Sequence, residues 1–115
     1  MNINIRRQDD ITILDLQGNL VLGEAVSTFR DQIHDLLSAG VKKIVVNLTG
    51  VPFVDSSGIG AMVGAHTALE TSGGRCKFCC AQPRVVQVLK LTRMLEVFDM
   101  YEKESTALAS FGAGS

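Results

Sequence analysis

A chain of 115 residues that is 46% hydrophobic and 20% charged has enough apolar material for one buried core, so a single globular domain is expected. A net charge of −1 supplies no bulk attraction toward nucleic acid or an anionic membrane surface. No apolar run approaches the roughly 20 residues needed to cross a bilayer, and Arg6 and Arg7 are not followed by an apolar signal core, so a cytoplasmic protein without a membrane span is expected.

The chain opens on alternation. Met1 to Arg7 places Ile3 and Ile5 on one face, Ile11 to Leu16 repeats the period of two, and Gln8-Asp9-Asp10 joins the two strands as a hairpin. Asn19-Leu20-Val21-Leu22-Gly23 reads as a loop. Val26, Phe29, Ile33, Leu36 and Leu37 then recur at helical spacing over Glu24 to Ala39, and Gly40 stops the helix. Val41 to Leu48 contains Ile44-Val45-Val46, the continuous β-branched run of a central strand.

That strand delivers the chain to Asp55-Ser56-Ser57-Gly58-Ile59-Gly60, which stands before an amphipathic run from Ile59 to Glu70. Asp and Ser are the residues that cap a helix N-terminus, where backbone N–H groups lack partners and the dipole favours an anion. Two adjacent hydroxyls at such a place are well set to carry a phosphate. Ser56 is the expected acceptor and Ser57 the alternative, since Ser57 lies nearer the helix interior and its hydroxyl is more useful as a cap. In the helix, Ile59, Met62, Val63, His66 and Leu69 share one side, while Gly60, Ala61, Gly64, Ala65 and Ala68 cover much of the rest. So little polar surface requires more than one buried face. One reading gives Ile59, Gly60, Met62 and Val63 to a partner; the other makes both faces internal.

Ser72-Gly73-Gly74 turns the chain into a strand from Cys76 to Cys80, and Pro83 opens a helix over Arg84 to Leu91. Val97 to Met100 reads as a short extended piece and Glu102 to Phe111 as a terminal helix, leaving 112–115 as a flexible tail after a domain spanning 1–111. The pattern is α/β: a small mixed sheet of four to five strands flanked by about four helices.

The stretch VVNLTGVPFVDSSGIGAMVG resembles the signature of the STAS domain, and within it the bacterial anti-sigma factor antagonists: a strand ending in Asn47-Leu48, a link bearing Phe53, then Asp55-Ser56-Ser57-Gly58, and Gly60 and Gly64 in the following helix. The order of elements on either side extends the resemblance over nearly the whole chain. It implies a protein that binds an anti-sigma factor serine kinase when unphosphorylated, frees the sigma factor for transcription, is phosphorylated at Ser56, and is restored by a serine phosphatase. Asp55, Ser57 and Gly58 would flank the switch, and Asn19, in a loop that lies near the phosphorylation site in the family, would join the docking surface. The family usually has Gly-Glu-Leu/Ile-Asp in that loop; here Gly18-Asn19-Leu20-Val21 lacks both acidic residues. A homodimer is a further option. The rival classes are an unphosphorylated STAS subunit of a larger signalling or lipid-transport assembly, and a nucleotide-binding STAS module.

Enzymatic readings find little support. Ser56 and Ser57 lack the glycine offsets of a nucleophile elbow, Gly58 and Gly60 do not extend into a dinucleotide fingerprint, and His34 and His66 stand alone at helical positions. Cys76, Cys79 and Cys80 crowd one strand without a second ligand pair, which suits buried thiols better than a metal or redox centre. A binding module that needs no cofactor or metal is expected.

Overall fold

The computed structural model describes residues 1–112, so 113–115 of the expected tail lie outside the described part, and Gly112 is the closing residue of a helix. The expected hairpin is present: β1 (Asn2–Gln8) and β2 (Ile11–Gln17) are antiparallel, with Gln8 opposite Ile11 and Asp9 at φ 56 in the turn. There follow α1 (Glu24–Ser38), β3 (Lys43–Gly50), α2 (Ser56–Thr71), β4 (Arg75–Cys79), α3 (Pro83–Leu91), β5 (Asp99–Tyr101) and α4 (Glu104–Gly112).

Several boundaries differ from those read in the sequence, each for a local reason. Val41 is not yet strand, because its N–H bonds to the Leu36 carbonyl and closes the end of α1. Helix α2 begins three residues before Ile59, since Asp55 caps it. Phe98 turns into the core, and only residues from Asp99 pair with β4.

Strands lie in the sheet in the order β1-β2-β3-β4-β5, antiparallel for the first pair and parallel thereafter. Each parallel connection therefore steps the same way across the sheet, and with the right-handed crossover that such units adopt, α1, α2 and α3 come to one face. The core follows: Leu14, Leu16, Ile44, Val46, Cys76 and Phe78 point to these three helices, meeting Phe29, Met62, Leu69 and Leu89. Alternate residues Ile11, Ile13, Val45 and Cys79 point the other way and are covered by Ala107 and Phe111 of α4. Arg6 fastens that last helix. Its guanidinium bonds Asp15 at 2.6 and 2.8 Å and also both oxygens of Glu104, while Asn47 Nδ2 donates to Glu104 at 3.0 Å.

Candidate functional site

The site is built where the loop after β2 runs beside the link after β3. Leu20 N–H donates to the Phe53 carbonyl at 3.0 Å, Asp55 N–H donates to the Leu20 carbonyl at 3.3 Å, and Leu20 pairs with Val54 in a single parallel bridge. Asp55 then joins both segments through its side chain: Oδ1 accepts from Gly58 N–H at 2.8 Å, Oδ2 from Leu22 N–H at 3.0 Å. The N–H groups of Leu22 and Gly58 hold the carboxyl below its ordinary value of 3.8, because they bond the charged form. Asp55 is therefore the N-cap of α2, out of three adjacent residues able to cap, and Ser57 lies inside the helix.

With Asp55 as cap, Ser56 is the first helical residue and is exposed, whereas Ser57 is half-buried. Gly58 sits under the loop. A Cβ there would stand 2.0 Å from the Leu20 carbonyl oxygen, so only glycine lets the loop lie this close. The result is an exposed hydroxyl on a rigid turn, beside a carboxylate and at the positive end of a 16-residue helix.

The STAS domain profile matches residues 2–107. This chain belongs to the STAS domain family. The STAS domain is 31% identical over 65 residues to an anti-sigma F factor antagonist of Paenibacillus polymyxa, a match spanning 56% of each protein. Against the crystal structure of a Thermotoga maritima protein assigned as an anti-sigma factor antagonist the TM-score is 0.87, with 27% identity over 94% of this chain and 92% of that one. The anti-sigma factor antagonist SpoIIAA in its unphosphorylated form gives a TM-score of 0.73 at 22% identity over 97% and 99%, a likeness of fold.

The remaining expected site residues divide. Asn19 and Gly60 are exposed and Val63 is half-buried. Ile59 and Met62, expected on a docking face, are instead core residues at 7% and 0% exposure. The reason is the position of α2, which packs on the sheet with one side and on α1 with another: Ile33 and Leu37 of α1 line a groove with Ala61, Gly64, Ala65 and Ala68. A helix between two neighbours needs apolar residues on two faces, and both are internal. Leu22 was missed by the sequence reading. It is 76% exposed directly beside Asp55, and no local pattern announces it, since Leu20, Val21 and Leu22 are all apolar and the first of them is fully buried.

Other polar groups near the link have structural employment. Gln82 Nε2 donates to the Thr49 carbonyl at 2.7 Å, and Arg84 stands over the Phe53 ring at 5.0 Å, fixing the start of α3 against the link. His66 Nε2 meets Glu70 at 2.9 Å on α2, and His34 lies exposed on α1. Cys76 and Cys79 belong to opposite faces of β4, so the C-x-x-C spacing cannot converge on one ion. No helix among the described residues is long and apolar enough to cross a membrane.

Proposed function

We propose that this STAS domain is an anti-sigma factor antagonist that binds an anti-sigma factor serine kinase while Ser56 is unmodified and is released when Ser56 is phosphorylated, a serine phosphatase restoring it. The observation that carries the reading is the exposed Ser56 hydroxyl at the first position of α2, next to an Asp55 carboxylate already committed to two backbone N–H groups. A phosphate there adds a charge of about −1.5 to −2 and three acceptor oxygens. In the free protein it is solvated and favoured by the helix dipole. In a complex it would have to be stripped of water beside a carboxylate of the same sign, a cost of several kcal/mol. The docking surface in this reading comprises Asn19, Leu22, Ser56, Gly60 and Val63, around a site whose role is recognition rather than catalysis.

The test is incubation with the cognate kinase, localisation of the phosphate by tandem mass spectrometry, and calorimetry of the unmodified, phosphorylated and Ser56→Ala proteins against that partner. Phosphate on Ser56 and a loss of about a hundredfold or more in affinity are expected, with Ser56→Ala binding throughout. Phosphate on Ser57 or Thr49 with Ser56 bare, or undiminished affinity of the phosphoprotein, would overturn the reading.

A further inference from the structure

We infer that Cys79 and Cys80 form a vicinal dithiol that hydrogen peroxide closes to a reversible disulfide, a modification site on the sheet face covered by α4. Consecutive residues of a strand point to opposite faces, and two neighbouring cysteines along an extended strand would ordinarily be held apart by the sheet itself. Here the alternation breaks after Cys79. Cys80 takes φ 67, a left-handed conformation that is uncommon for a residue other than glycine, asparagine or aspartate. That turn swings its side chain back beside its neighbour, and the two Sγ atoms are 3.0 Å apart. The conformation is held from outside: Cys80 N–H donates to the Tyr101 carbonyl at 3.0 Å, one residue past the register in which Cys79 pairs with Tyr101. The S–S bond length of about 2.05 Å then requires the sulfurs to approach by roughly 1 Å.

The two thiols differ in access, which orders the chemistry. Cys79 is fully buried against Ala107 and Phe111, and burial pushes its thiol well above the ordinary range, whereas Cys80 is partly exposed. Peroxide therefore reaches Cys80. Its sulfur attacks one peroxide oxygen, the O–O bond breaks, and the products are a Cys80 sulfenic acid and water. The Cys79 sulfur then displaces the hydroxyl from Cys80, the S–S bond forms, and the hydroxyl leaves as a second water with the Cys79 proton. Two thiols are oxidised by two electrons and one peroxide is reduced. Because adjacent Cα atoms are only about 3.8 Å apart, closer than disulfides usually span, the ring is tight and a dithiol readily reopens it.

Trypsin, by cutting after Lys77 and Arg84, releases a peptide from Phe78 to Arg84 that holds both cysteines without Cys76. After brief treatment of the folded protein with hydrogen peroxide, this peptide should have lost two hydrogen atoms, and dithiothreitol should restore them. Closure should be slower in urea, where the left-handed turn is not maintained. Cys79→Ser should leave a sulfenic acid on Cys80 that dimedone traps, and Cys80→Ser should leave Cys79 unoxidised. An untouched peptide, oxygen addition without hydrogen loss, cross-linking to a second chain, or closure as fast in urea as in buffer would each overturn the inference.

Discussion

The carbonyl oxygen of Leu20 lies where the side chain of any residue other than glycine at position 58 would begin, 2.0 Å from the place a Cβ would take. The loop carrying Asn19 and Leu22 is thereby seated on the first turn of α2. Gly58→Ala must push the loop away or shift the helix, and a stability loss of about 1 to 3 kcal/mol is expected by urea unfolding. Gly60, two residues on, has open space, and Gly60→Ala should gain about 0.5 to 1 kcal/mol, as alanine does in a helix interior. Equal effects at the two positions would contradict this account of the turn.

Burial separates residues that fold the domain from those that meet a partner. Met62→Ala and Ile59→Ala remove fully or nearly fully buried side chains, and each should cost about 2 to 5 kcal/mol. Leu22→Ser touches an exposed side chain, so stability should stay within about 0.5 kcal/mol of the parent. Affinity for the proposed anti-sigma factor partner should nevertheless fall for Leu22→Ser. Thermal melts and calorimetry on the same three proteins separate the two roles.

The Asp55 carboxyl carries a pH signature. Its folded value lies below the ordinary 3.8, so its contribution to stability is present above about pH 4 and is lost as the pH falls from there through the lowered value. Asp55→Asn cannot ionise. The variant should be the less stable protein near neutrality, and the gap to the parent should narrow below about pH 4. Asp15 and Glu104, also held low by Arg6, steepen the acid limb of both proteins alike, so the difference between them reports Asp55. A gap that is constant with pH would rule this out.

Arg6→Met should act locally. An exposed ion pair contributes at most about 1 kcal/mol, so global unfolding should change little. Removal of the guanidinium, however, leaves the carboxylates of Asp15 and Glu104 without the cation they share. Hydrogen exchange of the α4 amides should accelerate while that of α2 stays as in the parent. Uniform acceleration through both helices would indicate a global role instead.

Much of this fold was legible because its signals are local. Alternation over Ile11 to Leu16, helical spacing over Val26 to Leu37, and Gly40 and Pro83 at their helix ends each depend on residues within a few turns, and the strands and helices of the described residues occur in the expected order. The Asp55-Ser56-Ser57 stretch was legible as a helix start for the same reason. What stayed hidden depends on distant segments. Which of Asp55, Ser56 and Ser57 caps α2 is decided by Leu22, 33 residues from Asp55, whose N–H takes the second carboxylate oxygen. The fate of Ile59 and Met62 is decided by α1 lying over α2, and a helix apolar on two faces has no periodicity that says which neighbour covers each. The pairing of Cys79 with Cys80 turns on one positive φ that no propensity of cysteine announces.

Because the strands sit in the sheet in the order in which they occur in the chain, assembly can proceed by addition at one growing edge. No strand has to be inserted between two that are already paired. Each new strand finds its partner one connection back, so the entropy of closing the intervening loop stays modest at every step. One contact cannot be made this way: Arg6 and Glu104 are 98 residues apart, and their bond waits for nearly the whole chain. The clamp on α4 thus ties the first strand of the chain to its last helix, holding together two segments that no local connection joins.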